Sequence, residues 1–115
     1  MKSILFLCSF CLIACGCMQE SAEELAVLAE KHFTKGEYSK AIRTFEKVNA
    51  CYGETAATWH NIALTSFYAQ DYTHAKYAVE QALRLLKDTP DTKEQQEVLL
   101  ELQGLIAEMA GAKDE

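Results

Sequence analysis

No apolar stretch in this sequence is long enough to cross a bilayer. The most apolar run, residues 4–14, counts 11 residues, where a membrane-spanning helix needs about 20. Basic excess is also missing. Eleven Lys and Arg stand against 17 Asp and Glu, a formal net charge of −6, which argues against nucleic acid and against electrostatic docking to anionic lipid. The five glycines form no phosphate-cradling loop. His32, His60 and His74 are the only histidines. They form no H-E-x-x-H, sit in no nucleophile–base arrangement, and have no carboxylate pair beside them beyond ordinary surface glutamates. Structural or solvated histidines are the expectation, with no enzyme, no cofactor and no metal.

What is present begins at the N-terminus. Met1-Lys2-Ser3 carries one positive charge and leads into the apolar run, the pattern of a secretory signal. A buried core helix is the alternative, but it would lie hard against the N-terminus with no polar face. The run ends in Leu12-Ile13-Ala14-Cys15, which resembles the bacterial lipobox. The thiol is the nucleophile that accepts a diacylglyceryl group, and the small residue before it lets the peptidase close on the bond. By that resemblance residues 1–14 are removed, and Cys15 becomes the lipidated first residue (palmitate-type acyl chains), with 15–21 as tether. Ala14-Cys15-Gly16-Cys17 offers a poorer second frame, since Ala14 replaces the aliphatic residue. Two or more acyl chains anchor stably where one does not. The expected location is the bacterial cell envelope, at the outer membrane or the periplasmic face of the inner one. A seven-residue tether spans at most ~23 Å, so a domain behind it stays beside the bilayer.

Of five cysteines, Cys8 and Cys11 would leave with the signal and Cys15 would be alkylated. Cys17 and Cys51 remain, without the C-x-x-C spacing of a structural zinc. A Cys17–Cys51 disulfide is open in an oxidising compartment. Because Cys17 lies in a tether, two free or buried thiols are the favoured expectation. The remaining 101 residues, with ten basic side chains against 17 acidic, suit one small domain.

A shift of 34 residues aligns the chain with itself. Leu25 falls on Trp59, Leu28 on Ile62, Ala29 on Ala63, Phe33 on Phe67, Tyr38 on Tyr72 and Ala41 on Ala75. Ser21, Thr55 and Thr89 line up as helix N-caps. Ser21-Ala22-Glu23-Glu24 makes a capping box, and Pro90 follows Thr89 at a first helical position. Each period reads as two helices. Leu25, Leu28, Ala29 and His32 share one face of the first, Trp59, Ile62, Ala63 and Ser66 of its counterpart. Ala41, Phe45 and Val48 stripe the second helix in one copy, Ala75, Val79 and Ala82 in the other. Lys35-Gly36-Glu37 and Gln70-Asp71 break between them.

This pattern resembles the tetratricopeptide repeat, a helix–turn–helix unit of the same period. Leu25 and Gln70 depart from the family's usual aromatic and glycine, and Gly53 and Lys87 stand where proline is common. The resemblance implies an all-α, right-handed solenoid fragment over 22–110. It has repeats at 22–55 and 56–89, a capping helix at 90–110 and a frayed tail at 111–115, giving five helices and no strands. In the last helix Val98, Leu102, Leu105 and Met109 are expected inward, with Leu99 and Ile106 on the flank. Glu94, Glu97, Glu101 and Glu108 are expected outward.

In such repeats the first helices line a concave groove. The family's ligand-facing positions fall here on Glu23, Ala26, Glu30, Phe33 and Thr34, and on Ala57, His60, Leu64, Phe67 and Tyr68, with Asn61 beside them. Glu30, Phe33, Thr34, His60, Asn61, Leu64, Phe67 and Tyr68 are therefore the candidate partner-binding residues. The alternatives are that Phe33 and Phe67 are core, or that helix 90–110 folds over part of the groove. The subclass that clamps a C-terminal carboxylate needs lysine and asparagine where Ala26 and Glu30 stand, and lysine and arginine where Asp91 and Gln95 stand; only Asn61 matches. A basic or amphipathic protein or peptide, membrane-proximal, is the expected partner. Self-association through the groove is the second reading, and a small ligand or lipid in an apolar cavity the last.

Overall fold

The computed structural model describes residues 20–114. The expected signal segment 1–14, the expected lipidation site Cys15, Cys17 and the expected tether up to residue 19 lie outside the described residues. Among those described there are five helices and no strand: α1 Ala22–Thr34, α2 Tyr38–Tyr52, α3 Ala56–Tyr68, α4 Tyr72–Leu86 and α5 Lys93–Asp114. α1 and α3 each have 13 residues, α2 and α4 each 15. Each helix of the second pair starts 34 residues after its counterpart, Ala22 to Ala56 and Tyr38 to Tyr72. Consecutive helices pack on one another in chain order.

Local chemistry sets these bounds. Ser21 Oγ accepts from Glu24 N–H at 3.1 Å, and Thr55 Oγ1 accepts from Thr58 N–H at 3.1 Å. Each satisfies a donor that the first helical turn leaves without an intrahelical partner. The two intra-pair turns are built alike. After α1, Glu37 N–H donates to His32 O (2.9 Å) and Gly36 N–H to Phe33 O (3.0 Å). After α3, Asp71 N–H donates to Ser66 O (2.9 Å) and Gln70 N–H to Phe67 O (3.0 Å). This is the Schellman arrangement, which needs a left-handed residue just past the helix. Gly36 fills the position in one turn and Gln70 in the other, at φ 77° and 63°.

The third cap departs from expectation. Thr89 Oγ1 donates back to Leu85 O at 3.1 Å, Asp91 takes a left-handed φ of 62°, and α5 begins at Lys93. Pro90 therefore lies in a turn, not at a first helical position, because the backbone reverses at Asp91 before the helix can start. Thr92 closes the turn. Its Oγ1 donates to Thr89 O at 2.8 Å and approaches Leu86 O at 3.3 Å, while Gln96 Nε2 donates to Thr92 Oγ1 (3.0 Å) and to Leu86 O (3.1 Å). At the other end α5 runs on to Asp114, so residues 111–114 continue the helix where a frayed tail was expected.

The core follows the expected stripes in the four repeated helices. Leu25, Ala29, Ala41, Phe45, Val48, Trp59, Ile62, Ala63, Ser66, Ala75, Val79 and Ala82 are all buried. α4 buries alanine at 75, 78 and 82, and both α3 and α5 pack on this helix. Leu28 and three residues of α5 differ. Leu28 is 37% exposed although its counterpart Ile62 is fully buried, because among the described residues no helix stacks on the outer side of α1. In α5 the inward residues are Leu99, Leu102 and Ile106, whereas Val98, Leu105 and Met109 are 43–50% exposed. Both stripes contain Leu102 and differ by a fraction of a turn. With α4 as its main packing partner, α5 buries just one.

A candidate docking groove

The eight candidate residues do not share one surface. Glu30 and Phe33 of α1 face Asn61 and Leu64 of α3 across a shallow furrow of about 100 Å3, floored by Phe45 and Thr65. His60 lies on the other flank of α3. With Ala56 and Ala57 it borders a second furrow of about 210 Å3, whose far wall is Gln95, Val98 and Leu99 of α5 and whose floor is Leu86. α5 therefore stands beside α3 there as a wall.

Phe33, Phe67 and Tyr68 belong to a third feature, an aromatic cluster at the intra-pair turns. Phe33 meets Tyr68 edge-on at 5.3 Å and Tyr38 at 5.6 Å; Tyr38 stacks on Tyr68 at 6.5 Å. Phe67 contacts Tyr68 and Tyr72, each at 5.9 Å. Phe33 and Phe67 are half-buried and Tyr68 is exposed, so the phenylalanines serve packing and surface at once. Such pairs contribute about 0.5–1.5 kcal/mol each beyond their buried area. Thr34 is exposed and lines neither furrow; its hydroxyl donates to Lys31 O at 2.9 Å.

Five wall or cluster residues were not among the candidates: Gln95, Val98, Leu99, Tyr38 and Tyr72. Both tyrosines are visible in sequence as repeat matches, but their contact with the first-helix aromatics depends on the tightness of the turns. Val98 could not be found, because its stripe reads as core.

Charge is one-sided here. No residue lining either furrow is Lys or Arg, and Glu30 carries a carboxylate into the first. Along α5, Glu94, Val98, Glu101, Leu105 and Glu108 follow at alternating spacings of four and three, so they share a face, and all five are exposed. The exposed face of α5 that carries Val98 thus alternates acid and apolar. Burial lowers the His60 pKa below its ordinary 6.5, which keeps the ring neutral near pH 7. The other histidines serve the scaffold. His32 Nδ1 lies 3.1 Å from Glu37 Oε1 and Lys40 Nζ lies 3.1 Å from Oε2. Those two hydrogen bonds, His32 first, lower the Glu37 pKa. His74 sits 4.0 Å from Glu46.

Among the described residues no cluster of three or more His, Cys, Asp or Glu could hold a metal, and no helix is long and apolar enough to cross a membrane. Cys51, half-buried on the last turn of α2, is disulfide-bonded. This corrects the expectation of a free or buried thiol. The chain enters the described fold beside it, where Tyr52 Oη donates to the carbonyl of Glu20. No family model, no curated protein and no solved structure matches the chain.

Proposed function

We propose that the chain is a lipoprotein of the tetratricopeptide type, anchored through Cys15, whose groove docks a basic amphipathic segment of a membrane-proximal envelope protein. The observation that carries this reading is the groove's charge. Neither furrow is lined by Lys or Arg; Glu30 borders the one between α1 and α3, and the acid–apolar ridge of α5 rises beside the other. An amphipathic helix with Lys or Arg on its flanks would meet Val98 and Leu64 with its apolar side and Glu30, Glu94 and Glu101 with its charges, as in helix-in-groove recognition. The matched helical pairs at one period, each with its cap and Schellman turn, support the repeat assignment. Furrows of about 100 and 210 Å3 fall below the roughly 300–1,000 Å3 usual for small-ligand sites, which disfavours a small ligand or lipid in either of them.

A photo-crosslinking residue at Leu64 or Val98, introduced into the full chain in intact cells, tests the reading. One defined envelope protein should be captured from both positions, weakened by Glu101→Lys, and not captured from Lys76 on α4. Capture of a second copy of this chain alone would replace the adaptor with a homodimer. No adduct from either position would remove the groove as a docking site.

A further inference from the structure

We infer that Cys17 is the disulfide partner of Cys51, so that the tether is stapled to the end of α2. Cys51 is bonded, and every other cysteine of the chain precedes Glu20. The Tyr52 hydroxyl holds the Glu20 carbonyl at the C-terminal end of α2. Three Cα-to-Cα steps lead from Cys17 to Glu20 and reach about 10 Å, enough to bring the Cys17 and Cys51 Cα atoms to the roughly 4.4–6.8 Å that a disulfide requires. The choice among cysteines rests on the lipoprotein reading. Cys8 and Cys11 leave with the signal, and a Cys15 sulfur held as a thioether has no proton to lose and cannot enter thiol–disulfide exchange. Cys17 is what remains.

The bond forms by exchange. One cysteine thiolate attacks the disulfide of an extracytoplasmic thiol oxidoreductase, giving a mixed disulfide. The second cysteine then displaces the enzyme thiolate. The Cys17–Cys51 bond forms, the oxidoreductase disulfide is reduced to a dithiol, and the two electrons and both protons end there. Export to an oxidising compartment is therefore required.

The staple changes the geometry of anchoring. Between Cys15 and Glu20 an unstapled tether extends up to about 17 Å; with Cys17 fixed, only the two steps from Cys15 remain, about 7 Å. The end of the domain where α1 begins and α2 ends is then pressed to the bilayer, and the domain cannot swing about its anchor. Residues 17–51 close into a ring that encloses all of α1 and nearly all of α2.

The test uses the full-length protein purified from envelopes in detergent, with free thiols blocked and peptides mapped without reduction. The expected product is a Cys17–Cys51 linked peptide two hydrogens lighter than the separate peptides, with diacylglyceryl on Cys15. Cys17→Ser should make Cys51 alkylatable; Cys15→Ser should leave the bond in place. Quantitative alkylation of wild-type Cys51, a Cys15–Cys51 peptide, or a Cys51–Cys51 link between two chains would each overturn the inference. A free Cys51 beneath a lipidated Cys15 removes the staple alone, and an intact staple beside an unmodified Cys15 removes the anchor alone.

Discussion

Gln70 holds the left-handed backbone that Gly36 holds one repeat earlier, φ 63° against 77°, and the hydrogen bonds around the two residues are the same. A side chain in this region costs about 1–2 kcal/mol, offset in part by the smaller entropy loss of a non-glycine residue. Gln70→Gly should therefore stabilise the fold by about 0.5–1 kcal/mol, and Gly36→Ala should destabilise it by about 1 kcal/mol. Urea midpoints at unchanged slope measure both. A destabilising Gln70→Gly would show that this side chain contributes more than its backbone strain costs.

Gly104 lies on the exposed face of α5, and a Cβ built there meets nothing within 4 Å. Gly104→Ala should raise stability by about 1 kcal/mol from helix propensity alone. The change should appear as slower amide exchange in α5.

Ile62 and Leu28 occupy one repeat position with opposite surroundings, 0% and 37% exposed. Ile62→Ala should cost about 2–5 kcal/mol, and Leu28→Ala about 1 kcal/mol or less. Equal costs in thermal melts would mean that something outside the described residues covers Leu28.

His60 has its pKa lowered by burial. Its unfolded form takes a proton near pH 6.5, whereas the folded form resists until lower pH. Stability is thus complete above about pH 6.5 and declines as pH falls from there toward the folded pKa. His60→Gln should flatten that slope between about pH 7 and 5. In the wild type the His60 ring resonances should titrate below 6.5, and a midpoint above it would contradict the buried setting.

The four repeated helices were legible because their signals are local. Ser21 and Thr55 cap as their side chains dictate, the Gly36 turn forms where the helical pattern breaks, and the alanine positions repeat with their bulky partners. What escaped depends on neighbours. Leu28 and Ile62 look alike in sequence until the helix beside each is known. Val98 and Leu99 both sit on apolar stripes through Leu102, and only the approach of α4 selects one. The groove positions scatter over two furrows and the aromatic cluster at the turns, with Thr34 in none of them, because His60 and Asn61 point to opposite flanks of α3 and Phe67 and Tyr68 lie at its end. The Cys51 bond was underweighted because nothing in the sequence places Glu20 against Tyr52.

The alanine face of α4 has a consequence for the helix that follows. Methyl groups at 75, 78 and 82 offer no deep sockets, so shape holds the rotation of α5 only weakly. The stronger constraint is at its start, where Thr92 and Gln96 reach the carbonyl of Leu86. These hydrogen bonds act as a latch that sets the angle at which α5 is clamped. Releasing it with Gln96→Ala would let α5 roll toward its second apolar stripe, trading Leu99 and Ile106 for Val98 and Leu105. The groove wall would change with that roll, so a glutamine outside both furrows governs which surface the domain offers.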